Sequence, residues 1–106
     1  MRSKAVTQGK IADILFARGQ LDEALRILTD ELLPVYERLG DVRSLLVCRT
    51  NIAITLLVRM SQRGDRNDAL EANRLLCQAL GDAHRLGLPE AAQIQQIVDQ
   101  TGMTCG

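Results

Sequence analysis

The sequence predicts an all-α chain of five helices, antiparallel pairs stacked as a short solenoid, and three features predict it. The first is an internal repeat. Val6, Ile11, Ala12, Leu15 and Arg18 return 41 positions later as Val47, Ile52, Ala53, Leu56 and Arg59. Glu23-Ala24-Leu25 returns as Asp68-Ala69-Leu70, after a longer connection at Ser61-Gln62-Arg63-Gly64-Asp65. Self-similarity at a period of roughly 20 to 50 residues marks supersecondary units that bury their apolar faces on one another. The second feature is apolar spacing at i, i+3 and i+4 through long segments, the period of a helix and not of a strand. The third is punctuation: Gly19, Gly40, Gly64, Gly87 and Gly102 each follow such a segment, where a left-handed residue closes the last helical turn.

The first helix is expected from about Ser3 to Arg18, with Ala5, Ile11, Ala12 and Leu15 toward a neighbour. The second, about Leu21 to Leu39, buries Leu21, Ala24, Leu25, Leu28, Leu32 and Val35. Pro34 inside it removes one backbone bond and clashes with the carbonyl a turn earlier, so the helix bends there or restarts with Pro34 in its first turn. The third, about Val42 to Gln62, is apolar around most of its circumference and belongs at the centre. The fourth, about Arg66 to Leu86, sets Ala69, Leu70, Leu76, Ala79, Leu80 and Ala83 on one side. Pro89 opens a short fifth helix in the favoured first-turn position, with Ala91, Ile94, Ile97 and Val98 opposite a glutamine-rich face. The organisation is a single domain over residues 1–106: one unit at 3–39, a second at 42–87, a polar-backed capping helix at 89–101, and an aperiodic tail at 102–106 expected to fray.

Composition narrows the function classes. Apolar residues make up 46% and charged residues 25% of the chain, the proportions of an ordinary folded domain. Thirteen basic and thirteen acidic side chains cancel, and Phe16 and Tyr36 are the only aromatics, so nothing favours nucleic acid by field or by stacking. The apolar run from Ile52 to Val58 falls far short of the roughly 20 residues of a bilayer span, so no membrane partner is expected. Gln8, Lys10 and Asp13 break any signal-peptide stretch. Cys48, Cys77 and Cys105 are odd in number, scattered and without a Cys-x-x-Cys pair. They read as reduced thiols of a cytoplasmic protein, the first two as small core residues and Cys105 as part of the tail.

Catalytic patterns are missing from the sequence: there is no Gly-rich phosphate loop, triad order or metal spacing. His84 reads as a surface residue facing a helix dipole, and His84 with Cys77 falls short of the four ligands of a zinc site. Asp22-Glu23, Asp30-Glu31 and Asp65-Asp68 read as helix-start charges on solvated faces. Neither enzyme activity nor a metal or cofactor is expected.

The segment from Ile11 to Leu25 resembles the centre of a tetratricopeptide repeat, with Ala12 and Ala24 at the small positions of its two helices, Gly19 in the turn, and Leu15 and Leu28 at the usual aromatic positions. Ala53 and Ala69 repeat the packing pair in the second unit. Gln8 and Arg49 stand where the family has Trp, and Asn73 replaces an apolar residue. The period of about 41, with Leu39-Gly40-Asp41, is similar to the extended repeats of kinesin light chains and of polarity adaptors. The resemblance covers about residues 3 to 87 and implies a right-handed stack whose concave groove is lined by the first helix of each unit. A generic antiparallel bundle is the alternative fold.

Carrying the family's groove positions across implies Val6, Gly9, Lys10, Asp13 and Phe16 in the first unit and Val47, Thr50, Asn51, Ile54 and Leu57 in the second. Lys10 and Asn51 occupy equivalent places, as in members that clamp a peptide carboxylate. Ile54 and Leu57 point instead to an apolar helix or to a second copy of the chain. The expected function is a non-catalytic interaction module for a protein or peptide. The alternative is a self-assembly element, a homodimer joined through the groove and an open N-terminal end, because Ala5, Val6, Ile14 and Phe16 cannot all face the second helix and no polar capping helix precedes them.

Overall fold

The structure is a computed structural model that describes residues 2–102 and 105, with side chains described from residue 8 onward. Among the described residues it holds five helices and no strand. They are α1 (Arg2–Ala17), α2 (three consecutive segments, Leu21–Arg26, Ile27–Leu32 and Leu33–Leu39), α3 (Val42–Arg63), α4 (Arg66–Leu86) and α5 (Glu90–Thr101). Connections of two or three residues make each helix pack on the next. The shortest dimension of 18 Å is close to two helix diameters, so the helices lie in two layers. All five helices close on the expected glycines, with φ between 65° and 78°. After α1, α2 and α4 the chain makes the paired closing bonds of a Schellman motif, as in Gly40 N–H to Glu37 O and Asp41 N–H to Tyr36 O.

Pro34 explains the three-part α2. It sits in the first turn of Leu33–Leu39, and the preceding Ile27–Leu32 widens into a π-helix whose bonds reach five residues back, as Leu33 N–H does to Leu28 O. A proline ring clashes with the carbonyl four residues earlier, and one extra residue in the turn moves that carbonyl aside. The helix restarts without a break. Ile27, Leu28 and Leu32 stay buried through the widened turn, and the Cys48 thiol donates to Leu28 O at 3.5 Å.

Helix α3 occupies the centre, flanked by α2 and α4, and buries Leu46, Cys48, Ile52, Ala53, Thr55 and Leu56. Its length and composition would also pass for a bilayer span; Leu46, Cys48, Ile52, Ala53 and Leu56 pack on the neighbouring helices, whereas Val42 and Val47 are exposed. Ala12, Ala24 and Ala53 are fully enclosed, as small residues at close helix crossings must be.

Two expected faces hold in most positions and fail in a few. On α4 the buried set is Asp68, Ala72, Leu75, Leu76, Ala79, Leu80 and Ala83, while Leu70 is exposed and Ala69 half-buried. On α1, Ala12 is buried and Leu15 packs on the core, whereas Ile11 faces outward. Leu70 lies opposite the face set by Ala72, Leu76, Ala79 and Ala83, and Asp68 is not a solvated helix-start charge. It is 5% exposed and accepts two hydrogen bonds from Arg59, at 2.8 Å and 2.7 Å. Arg59 also reaches Asp22 at 3.0 Å, and Arg63 holds Asp22 at 3.0 Å and 3.1 Å. One guanidinium therefore joins the start of α2, the end of α3 and the start of α4. Hydrogen bonding from Arg59 holds the Asp68 carboxyl below its ordinary value of 3.8, against the upward push of burial. The two residues in the family's Trp positions reach across likewise: Gln8 donates to Glu31 on α2 at 3.4 Å, and Arg49 to Asp82 on α4 at 3.5 Å.

The expectation of three reduced thiols and a fraying tail is also corrected. Cys77 on α4 is bonded to Cys105, with Cα atoms 5.4 Å apart across 28 positions of sequence. That spacing lies within the range a disulfide requires, and such a loop restricts the unfolded chain by about 3 to 4 kcal/mol. Met103, Thr104 and Gly106 lie outside the described residues. Cys48 is free and buried.

Replacing Asp68 by Asn is expected to cost about 2 to 3 kcal/mol at pH 7, because it leaves Arg59 with a weaker and partly mismatched acceptor. Since the folded-state value of Asp68 is depressed, its contribution is fully present above the ordinary value of 3.8 and fades as pH falls through the lower folded value. Urea unfolding at several pH values should show the gap between wild type and variant hold above the ordinary value of 3.8 and narrow as pH falls below it.

Thiol titration gives a separate check. The native, unreduced protein should react with no equivalents of a thiol reagent, with one after unfolding, at Cys48, and with three only after unfolding and reduction together.

Candidate interaction groove

Val47, Asn51 and Ile54, spaced by four and three residues, share one face of α3, with Val47 exposed and the other two half-buried. Three cavities meet along it. A cavity of about 370 Å³ lies between α1, α2 and α3, floored by Leu28, Leu32 and Tyr36 and rimmed by Asp13 and Arg43. A second, about 220 Å³, continues past Ala12 and Phe16 to Ile54. A third, about 160 Å³, lies between α3 and α5 and is bounded by Thr50, Glu90, Gln93 and Ile97. Asn51 lines all three. Together they form one groove that crosses α1, α3 and α5, with α2 beneath its widest part.

The groove is mainly apolar in the middle and polar at its edges. Val47 is 41% exposed, a large value for a valine on the central helix. The hydroxyls nearby are committed to their own helix, Thr50 donating to Leu46 O at 2.9 Å and Thr55 to Asn51 O at 2.7 Å. Asp41 caps α3, accepting from the Ser44 N–H at 3.2 Å and from its hydroxyl at 2.7 Å. Arg43 then spans the gap to α5, donating to Glu90 Oε2 at 2.7 Å. That bond, with the Glu90 backbone N–H, holds the Glu90 carboxyl below its ordinary value. Its other oxygen, Oε1, is enclosed and has no hydrogen-bond partner.

Cys48 and Tyr36 line the widest of these cavities. Burial pushes the Cys48 thiol up to about 12 and raises Tyr36 as well, so both stay protonated near neutrality. Among the described residues no three His, Cys, Asp or Glu side chains converge as metal ligands, and the Cys77 sulfur is taken up by Cys105.

Of the residues implied for the groove, the fold brings Gly9, Asp13, Phe16, Val47, Thr50, Asn51 and Ile54 together. Lys10 is exposed and does not line these cavities, so it does not converge with Asn51 on a common anion. Leu57 packs on the core instead of facing the groove. The side chain of Val6 lies outside the described residues. Of the packing pair in the second unit, Ala53 is enclosed and Ala69 half-buried, with Ala72 taking the fully buried place. Sequence reading missed the floor from α2 and the wall from α5. The signal for the wall was present: Gln93 and Ile97 lie four apart beside the buried Ile94, as on the first helix of a further unit. Comparison with known protein families, curated proteins and solved structures finds no match to this chain.

Gly9 borders the widest cavity from the interior of α1, and a Cβ added there meets nothing within 4 Å. Gly9→Ala is therefore expected to stabilise the fold by about 0.5 to 1 kcal/mol through helix propensity alone. Thermal unfolding checks it. The same change at Gly81 on α4, also unobstructed, should match it away from the groove.

Proposed function

We propose that the chain is a non-catalytic interaction module of tetratricopeptide-like architecture, in which α1 with α2 and α3 with α4 form two stacked units, α5 caps them, and a partner segment lies in the groove of α1, α3 and α5. The observation that carries this reading is the meeting of three cavities at Asn51 on the central helix. An apolar face on such a helix normally finds cover within the chain, and a contiguous uncovered one marks a contact surface. The small residues Ala12, Ala24 and Ala53 at the helix crossings support the repeat reading.

A second reading, self-association, draws on α1. Ile11 and Ile14 are 40% and 53% exposed on its outward side, where a second copy of the chain would cover them. The cytoplasmic expectation rested on unpaired thiols and loses that ground with the Cys77–Cys105 bond, which persists best in an oxidising compartment.

Photocrosslinking separates the two readings. A benzophenone amino acid in place of Asn51 or Gln93 is expected to trap a partner in cells, whereas one in place of Arg74 or Gln78 on the exposed side of α4 traps none. Adducts of twice the chain mass, formed from Ile14 as well, would favour self-association. Adducts only from α4 would overturn the groove assignment.

A further inference from the structure

The charges around the groove are unequal. Asp13, Asp41 and Glu90 border its cavities, and Arg43 is the basic residue among their lining. Arg43 is already engaged by Glu90 Oε2. The whole chain is neutral, so this local acidity is a matter of placement and not of composition. Beside it lies an unmet demand: Glu90 Oε1 is enclosed in the cavity wall between α3 and α5 without a donor, on a side chain only 18% exposed. An ionised oxygen shielded from water is costly unless a hydrogen bond reaches it. Glu90 borders the open cavity together with Thr50, Asn51, Ile54 and Gln93, so a small turn of its side chain would present that oxygen to a donor seated there.

Resting on the groove reading above, we propose that the occupant is an amphipathic helix of a partner protein, with apolar side chains seated on Val47 and Ile54 and a lysine or arginine reaching Glu90 Oε1. A helix fits better than an extended strand. The groove offers few free backbone or side-chain groups to pair with a strand, since Thr50 and Thr55 bond to their own helix, while a helix satisfies its own backbone. An apolar stripe flanked by a cation matches an apolar floor flanked by carboxylates. A carboxylate-bearing ligand meets the opposite field and finds Lys10 outside the cavities.

The probes are synthetic helical peptides of about four turns, identical in their leucine face and carrying lysine, glutamine or glutamate at the flanking positions. Backbone NMR shifts of the isotope-labelled chain report where each binds, and titration gives its affinity. The lysine peptide should bind about tenfold or more tighter than the glutamate peptide, the scale of one hydrogen bond to a charged group, with shifts centred on Val47, Asn51 and Gln93. Glu90→Gln should abolish that preference while leaving the glutamine peptide unchanged. Arg43→Gln frees the second Glu90 oxygen and should tighten lysine-peptide binding, a direction that mere destabilisation does not produce. Equal affinity of lysine and glutamate peptides, with shifts still in the groove, would overturn the cation assignment and leave the groove reading standing. A preference that survives Glu90→Gln would overturn the role of Glu90. Shifts confined to other faces, or none with any peptide, would overturn the groove reading and this inference with it.

Discussion

Helix α3 carries apolar side chains around most of its circumference and could not remain in water alone, so the other helices are arranged by the need to cover it. Helices α2 and α4 take two of its sides and α5 reaches part of a third. A helix of 22 residues with four neighbours cannot be enclosed all round, and Val47, Asn51 and Ile54 are among the residues left partly open. The groove is thus a residue of the packing problem that holds the fold together. Core and candidate site are two faces of one helix, and a change to one is felt at the other.

Polar contacts then set the angles at which the helices meet. At one end of α3, Arg59 joins Asp68 and Asp22, with Arg63 alongside. At the other, Asp41 caps the helix and Arg43 bridges to Glu90. The first set lies over an enclosed carboxylate, where breaking the pair leaves a charge without compensation. The second lies at the rim of the groove, where one carboxylate oxygen is left without a donor. The same pairing of arginine with acid secures structure at one end and leaves capacity for a ligand at the other.

Pro34 shows how a local misfit is absorbed. A proline in a long helix ordinarily kinks it, yet here the extra residue of a π-turn keeps Leu28, Leu32 and Tyr36 on one side, as the floor of the widest cavity. A straight α-helical register would carry Tyr36 further round the helix from Leu28. The irregular turn contributes directly to the shape of the groove.

By itself the sequence determined what depends on near neighbours: five helices, their ends at Gly19, Gly40, Gly64, Gly87 and Gly102, an irregularity at Pro34 and the central place of α3. Those follow from backbone sterics and from apolar spacing within a few turns, which any chain carries in its local order. Asp13, Phe16, Val47, Asn51 and Ile54, which the family resemblance implied for the groove, line the cavities between α1, α3 and α5. Only the tertiary structure decided that Asp68 is buried against Arg59, since a charge partner nine positions away does not register in a hydrophobic period. The pairing of Cys77 with Cys105, the withdrawal of Leu57 into the core and the wall supplied by α5 belong to the same class. Each depends on where a distant segment comes to rest, which is fixed by how helices pack and not by the residues beside them.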